Sequence, residues 1–298
     1  MRSPHTRKIS QIAATAALAA AALTGGAGHA AADSNTGDRS TQYYLALGDS
    51  LAAGFQTLPG SHNYDHYLVG RGYAQDIART LGTEAQSRDQ GFEFTNLGCP
   101  GESTRTMLEG GCGFEHPYTD PQLVEAEAFL RAHHDDNVIV TLDIGANDVD
   151  RCALGGRFDV ACVLTGIKAM GPNLNIILDR LQTVAGPHTR IVGMNLYNPF
   201  LAKYLEPGGQ VLAAITMPLT GMVNSSIGDA FARHAIPLAD VSAVFATNAL
   251  TPMVPYGDQQ VPLNVSRVME WTNMSRNDIH ANDTGYQVIA DTFLPLLR

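Results

Sequence analysis

The chain has 298 residues, 45% of them hydrophobic, and a formal net charge of −10 at pH 7. An acidic balance of this size argues against nucleic acid or an anionic lipid surface as an electrostatically held partner. Beyond the first 32 residues, no stretch approaches the ~18 uninterrupted apolar residues that a membrane span needs, so we expect no stable span.

The first 32 residues have the pattern of a secretory signal peptide. Three basic residues precede an Ala/Leu-rich run at residues 12–23, and small residues follow up to residue 32. Cleavage there removes three basic residues and no acidic one, which lowers the formal charge from −10 to −13. We expect an exported protein with an unstructured lead-in at residues 33–41. Residues 42–298 then have a natural size for a single α/β domain.

Four cysteines in an exported chain favour two disulfides. Cys99, Cys112, Cys152 and Cys162 show no C-x-x-C spacing, which argues against a metal site. Three pairings are possible. The local pairs Cys99–Cys112 and Cys152–Cys162 are favoured, because each would close a loop just after a predicted strand.

Strands alternate with helices along the mature chain. Alternating or continuous apolar runs that end at glycine or polar residues predict strands at residues 43–48, 92–97, 138–144, 190–196 and 236–241. Apolar residues at helical spacing predict helices at residues 73–81, 122–133, 163–184, 223–234 and 284–296. This alternation implies right-handed crossovers, and therefore a parallel sheet in a three-layer α/β/α sandwich.

Residues 242–276 interrupt this pattern. They contain three prolines and little periodicity, which predicts a long surface excursion over or beside the functional site.

Three of the predicted strands end in similar polar, glycine-bearing segments. These segments are Gly48–Ser50, Gly98–Thr104 and Gly145–Asp148. In a doubly wound sheet with the first strand between the second and third, all three ends meet at one crevice. The sequence therefore predicts a functional site at this edge.

The residues at this edge suit acyl transfer, which needs a nucleophile, a base and donors for the oxyanion. Ser50 can be the nucleophile, although a serine there can also simply cap a helix. The backbone N–H groups of Ser50 and Gly101 and the amide of Asn147 can be the donors. His280, in a polar turn before the last helix, is the candidate base, and a solvated surface histidine is the alternative.

The chain resembles the SGNH or GDSL family of serine esterases and lipases. The resemblance is carried by four blocks in the family's order: Gly48-Asp-Ser-Leu51, Asn96-Leu-Gly-Cys-Pro-Gly101, Gly145-Ala-Asn-Asp148 and Asp278-Ile-His280. It implies a flavodoxin-like sandwich of about five parallel strands. It also implies Ser50 as nucleophile, His280 as base, and Gly101 and Asn147 as oxyanion donors.

The residue that orients His280 departs from the family's Asp-x-x-His-Pro pattern. Here Asn277 stands three before His280, Asp278 two before it, and Ala281 replaces the proline. A carboxylate both fixes the histidine tautomer and stabilises the imidazolium, which favours Asp278 over the amide. Asn277 and a main-chain carbonyl remain the alternatives.

The predicted activity is hydrolysis of carboxylic esters without metal or cofactor, on a small-molecule or lipid substrate. Carbohydrate O-acetyl esters and phospholipid acyl chains are alternative substrates, and a catalytically silent binding protein is the alternative class. A calcium site at Asp143, Asn147, Asp148 and Asp150 is disfavoured, because their spacing does not follow the EF-hand loop. The sequence does not indicate an oligomeric state.

Overall fold

Five parallel strands form the central sheet of the protein. The structure is a computed structural model that describes residues 40–60, 67–149, 152 and 159–298. The predicted signal peptide and nearly all of the predicted lead-in lie outside the described residues. The first strand already begins at Thr41, one residue before the predicted domain start. The described residues belong to one compact unit, Asp38–Arg298.

Strands and helices alternate as the sequence predicts. The strands are β1 Thr41–Gly48, β2 Gln56–Thr57, β3 Tyr67–Leu68, β4 Gly91–Asn96, β5 Asn137–Asp143, β6 Thr189–Met194, β7 Leu238–Ala239, β8 Met253–Tyr256 and β9 Gln259–Pro262. The α-helices are α1 Ser50–Ala53, α2 Tyr73–Ser87, α3 Thr104–Glu109, α4 Gln122–Ala132, α5 Val160–Val184, α6 Gly209–Arg233, α7 Val241–Val244, α8 Leu263–Trp271 and α9 Asp283–Phe293.

The sheet order is β4-β1-β5-β6-β7, so β1 lies between the second and third strands of the sheet, as predicted. Leu45 of β1 pairs in parallel with Thr95 on one side and Val140 on the other. Four consecutive residues of β1, Tyr44–Leu47, are at most 1% exposed, because helices cover both faces of a parallel sheet. The predicted three-layer α/β/α sandwich is confirmed.

Helices α5 and α6 are each 25 residues long, and their most apolar 18-residue windows have a mean hydropathy of 1.3. By length and composition alone, either could cross a membrane. Both helices, however, contribute fully buried side chains to the core around the sheet, among them Leu178 and Ile227. Length and hydropathy are therefore weak evidence for a span.

Helix α6 begins 14 residues before the predicted start at residue 223. Pro218 lies inside it and lacks the N–H that a helix interior uses, which favours a break at that point in the sequence. Ala213, Thr216, Leu219 and Val223 nevertheless recur at helical spacing and are all buried. Packing of this face outweighs the local cost of the proline.

The prediction of a long surface excursion at residues 242–276 is wrong. The segment includes most of α7, a hairpin of β8 and β9, and α8, and it buries Val261, Val265 and Val268 completely or nearly so. Strands β8 and β9 have only four residues each, and α8 has nine. Elements this short span too few turns or alternations for periodicity to reveal them.

Candidate active site

Ser50 lies at the carboxyl edge of the sheet, directly after β1. The strand ends at Gly48, whose φ of 139° suits glycine; a Cβ there would lie 2.1 Å from the carbonyl oxygen of Asp143. Ser50 opens the four-residue helix α1, and Asp49 caps it by accepting a hydrogen bond from the Leu51 N–H at 2.9 Å. The helix cap is therefore Asp49, which leaves the Ser50 hydroxyl for other contacts.

The structure brings His280 to Ser50. Nε2 of His280 lies 2.8 Å from Oγ of Ser50, and Nδ1 lies 2.5 Å from Oδ1 of Asp278. His280 is only 7% exposed and Asp278 only 1%. The three side chains thus form one continuous hydrogen-bonded chain across 230 residues of sequence.

Asp278, rather than Asn277, contacts the histidine ring. Asn277 adopts a left-handed conformation with φ of 57°, and its side-chain oxygen lies 3.4 Å from the Lys203 ammonium. Asp278 Oδ1 also accepts the His280 backbone N–H at 3.1 Å. An extended segment places residues two apart on the same side, which is how Asp278 reaches the ring.

Thr57 supports the far side of Asp278. Oδ2 of Asp278 accepts the Thr57 backbone N–H at 3.0 Å and its hydroxyl at 2.6 Å. Burial alone would raise the pKa of Asp278, but the hydrogen bond and positive charge of His280 and the bonds from Thr57 lower it to about 2. The carboxylate therefore stays charged beside the histidine. Sequence reasoning missed Thr57, because nothing local in the sequence connects it to Asp278.

The predicted oxyanion donors are the backbone N–H groups of Ser50 and Gly101 and the amide of Asn147, and each follows one of three adjacent strands. Gly101 has a φ of 85°, and Asn147 lies in a short 3₁₀-helix after β5. Asn147 Nδ2 donates to the Glu102 carbonyl at 2.9 Å and lies 3.4 Å from Oδ2 of Asp49. Within the described residues, the backbone N–H groups of Ser50 and Gly101 have no acceptor, so both can donate to a ligand.

Two disulfides connect the four cysteines in the local pairing that the sequence favours. Cys99 pairs with Cys112 at a Cα–Cα distance of 6.4 Å, and Cys152 pairs with Cys162 at 5.5 Å. Cys99 is buried and lies two residues before Gly101. The first disulfide therefore ties the loop that carries Gly101 to the chain after α3.

A buried carboxyl pair lies under Ser50. Asp49 and Asp143 are 1% and 0% exposed, and Oδ2 of Asp143 lies 3.4 Å from the Asp49 backbone N. The Tyr73 hydroxyl donates to Oδ1 of Asp143 at 2.5 Å. Burial raises the pKa of Asp143 well above its ordinary value, and the neighbouring Asp49 charge raises it further. Burial also raises the pKa of Asp49, so two negative charges side by side are disfavoured in this pair.

Asp148 connects two loops at the edge of the sheet. Its carboxylate accepts the backbone N–H of Thr104 at 2.9 Å and the Thr104 hydroxyl at 2.5 Å. Asp148 thereby anchors the first turn of α3 to the loop after β5. Asp150 lies outside the described residues.

A cleft of about 90 Å³ opens beside Ser50 and His280. Its other walls are mainly apolar and come from the segment after β6, from α6 and from the residue before His280: Leu196, Tyr197, Pro199, Phe200, Val223 and Ile279. Among the described residues that line it, none belongs to 242–276, so this segment does not lie over the cleft. It lies beside the site, because the ring of Phe245 stacks on that of Tyr197 with centroids 4.5 Å apart. The apolar walls of this cleft suit a largely apolar ligand group.

The chain matches the family model of the GDSL-like lipase/acylhydrolase family over residues 46–288. The chain belongs to this family. Membership places it among the carboxylic ester hydrolases, and it confirms the family predicted from the four sequence blocks. A comparison with curated proteins finds no match.

Solved structures of lipases and of an esterase share the fold. A protein described as a GDSL-like lipase from Parabacteroides merdae is 14% identical, with a TM-score of 0.55 over 87% of this chain and 96% of that one. An extracellular lipase from Streptomyces rimosus is 18% identical, with a TM-score of 0.51 over 86% and 99%. An acetylxylan esterase from Geobacillus stearothermophilus is 15% identical, with a TM-score of 0.50 over 86% and 93%. At these identities, the likeness concerns the fold alone.

Glu102, beside Gly101 in this GDSL hydrolase, gives a stability prediction. Burial raises the pKa of Glu102 from 4.5 to about 7, and the Asp49 charge contributes. Above pH 4.5 the unfolded chain thus loses this proton more readily than the folded chain, so stability falls as pH rises towards 7. The glutamine of Glu102→Gln cannot titrate. As the pH rises from 4.5 to about 7, we therefore expect the free energy of unfolding of the variant to increase relative to that of the native protein, by up to about 3 kcal/mol.

Thermal unfolding of both proteins between about pH 4 and pH 8 measures this difference. Stability curves that stay parallel over the whole interval would contradict the raised pKa of Glu102.

Proposed function

We propose that this GDSL hydrolase cleaves carboxylic esters through an acyl-enzyme formed on Ser50. The observation that carries the proposal is the hydrogen-bonded chain from Ser50 Oγ through His280 to Asp278, with distances of 2.8 and 2.5 Å. A serine activated by a neutral histidine, which is oriented in turn by a buried carboxylate, is the arrangement that serine hydrolases use on unrelated folds.

The first step makes the Ser50 ester. Nε2 of His280 accepts the hydroxyl proton as Oγ of Ser50 attacks the substrate carbonyl carbon. The oxygen of the tetrahedral intermediate then accepts hydrogen bonds from the backbone N–H groups of Ser50 and Gly101 and from the Asn147 amide. When the intermediate collapses, His280 gives its proton to the departing alcohol oxygen.

The second step releases the acid. His280 removes a proton from water, which attacks the acyl carbon, and the same donors hold the second oxyanion. Collapse breaks the bond to Ser50 Oγ, which regains its proton from His280. Throughout, Nδ1–H of His280 donates to the charged Asp278, which fixes the tautomer and stabilises the imidazolium.

The cleft beside Ser50 supports an apolar acyl group longer than acetyl. Tyr197, Phe200, Val223 and Ile279 line the space next to the nucleophile, and each methylene buried there contributes about 0.8 kcal/mol. In a nitrophenyl ester series, kcat/KM should rise roughly fourfold per methylene until the cleft is filled. Highest kcat/KM on the acetyl ester would instead favour an O-acetyl esterase.

A fluorophosphonate probe tests the enzyme directly, because it phosphonylates only a serine activated by a base. The folded protein should be labelled at Ser50, and Ser50→Ala should not. Ser87→Ala is a matched control, since Ser87 is exposed at the end of α2 and bonds only the Glu84 carbonyl among the described residues. A native protein that resists the probe would favour a silent binding protein.

Asn147→Ala should lower kcat by about 10²–10³ and change KM less, because this donor matters most when the oxyanion forms. Steady-state kinetics on the preferred nitrophenyl ester measures both constants. Asn175→Ala is the control, since the Asn175 amide bonds the Gly171 carbonyl within α5 at 2.8 Å. An effect on KM alone would make Asn147 a substrate-binding residue.

We also propose that residues 1–32 direct export and are then removed, leaving a single hydrolase domain from about residue 42. The basic start, the apolar run and the small residues support this, and two disulfides suit an oxidising compartment. Sequencing the amino terminus of the protein recovered from culture medium tests it. A protein that stays in the cytoplasm with Met1 intact would overturn the proposal.

A further inference from the structure

We infer that Glu102 and Gln122 are positioning residues for ester hydrolysis, which together hold the oxyanion donors in place relative to Ser50. The inference rests on the proposed function. Neither side chain lines the cleft beside Ser50, so both would act through the residues that they hold.

Gln122 binds the end of the strand that carries the nucleophile. It lies in the first turn of α4 and is only 1% exposed. Its Oε1 accepts the Gly48 N–H at 2.7 Å, and its Nε2 donates to the Gly48 carbonyl at 2.9 Å. The amide therefore pairs with both polar groups of one residue, as a neighbouring strand would. Gly48 stands two residues before Ser50, so this pairing fixes where β1 stops.

The same amide nitrogen reaches the neighbouring loop. Nε2 of Gln122 lies 3.1 Å from Oε2 of Glu102 and 3.1 Å from the Tyr118 hydroxyl. The Tyr118 hydroxyl in turn donates to the Leu97 carbonyl at 2.9 Å, just after β4. One side chain thus connects the ends of two adjacent strands, β1 and β4.

The main chain of Glu102 holds two of the proposed donors. Its carbonyl accepts the Asn147 amide at 2.9 Å, and its N–H donates to the Cys99 carbonyl at 3.0 Å, which closes a turn around Gly101. The route from Asn147 and Gly101 to Ser50 therefore runs through Glu102, Gln122 and Gly48. Preorganised donors are effective only if they are held in the right place before the oxyanion forms.

The side chain of Glu102 is costly for the fold. It is 1% exposed, and within the described residues its Oε1 has no hydrogen-bond partner. Buried polar atoms without a partner are uncommon and destabilising. The part of this side chain that the inference needs is its Oε2, the oxygen 3.1 Å from Nε2 of Gln122.

The test compares Gln122→Leu with a control from the same helix. Leucine has a similar size but cannot pair with Gly48 or Glu102, and we expect kcat to fall about 10²-fold while KM changes less than about threefold. Glu127→Leu is the control, because Glu127 is also buried on α4 and bonds Arg131 and Arg180, away from the cleft. Its loss should lower the melting temperature and leave kcat per labelled site unchanged.

A second pair of variants covers the case in which Gln122→Leu does not fold. Glu102→Gln keeps an oxygen that can accept from Gln122, so its kcat should stay within about threefold of the native value. Glu102→Ala removes the acceptor and should lower kcat at least about tenfold. Fluorophosphonate titration counts the folded sites in every variant.

The inference is overturned if Gln122→Leu or Glu102→Ala keeps native kcat per labelled site, or if each changes KM alone. It is also overturned if Glu102→Gln and Glu102→Ala lose kcat equally. Failure of the proposed function looks different, because Ser50→Ala would then retain hydrolysis whatever happens at Glu102 and Gln122.

Discussion

Ser50→Ala is expected to lower kcat for ester hydrolysis by about 10⁴–10⁶, the largest single loss available in this protein. The substitution removes the atom that forms the acyl-enzyme, and no step of the proposed mechanism can proceed in its absence. Ser50 contacts His280 Nε2 and lies 3.5 Å from an Asp49 oxygen, and Asp49, not Ser50, caps helix α1. The melting temperature should therefore change little.

The measurement is steady-state hydrolysis of the preferred nitrophenyl ester, with the native protein and Ser87→Ala assayed in parallel. The assay must exclude contaminating esterase, so the residual rate should be compared with the fraction of protein labelled by the fluorophosphonate. Turnover by Ser50→Ala at the native rate, without labelling, would remove Ser50 from the mechanism altogether.

The long elements of the fold could be predicted because their patterns are strong. β1 reads as a continuous apolar run since both of its faces are buried, and α5 repeats its apolar residues over seven turns. The beginning of α6 and the segment 242–276 could not be predicted in this way. In α6, tertiary packing overrides Pro218, and residues 242–276 fold into elements of at most nine residues. The local sequence reveals neither the packing that stabilises α6 nor the short elements of residues 242–276.

The residues of the candidate site also fall into a predictable and an unpredictable group. Ser50, Gly101, Asn147 and His280 follow strand ends or a polar turn, where the sequence marks them with glycine and polar neighbours. The residues that hold these four in place, such as Thr57 and Gln122, have no comparable signal in the local sequence. Thr57 lies 221 residues from its partner Asp278, and Gln122 lies 74 from Gly48. Contacts between distant residues become visible only once the sheet order is known.

The residue that orients His280 gives the second large expected effect. Asp278→Ala should lower kcat by about 10³–10⁴, because His280 would lose both the acceptor that fixes its tautomer and the charge that stabilises its protonated form. Asn277→Ala should cost less than about threefold. The Asn277 side chain lies near Lys203 instead, and its left-handed backbone is one that alanine adopts at modest cost.

A third variant tests whether the shape of the Asp278 side chain is sufficient without its charge. Asp278→Asn keeps a side-chain oxygen at the same distance from Nδ1 but removes the negative charge, and its amide can present a donor to the ring instead, which favours the wrong tautomer. If the negative charge, or the tautomer that it fixes, is needed, Asp278→Asn should be nearly as slow as Asp278→Ala. If Asp278→Asn keeps native kcat, the carboxylate only positions the ring. If both Asp278 variants stay within about tenfold of the native enzyme, a main-chain carbonyl must orient His280, and the site works as a Ser50–His280 dyad.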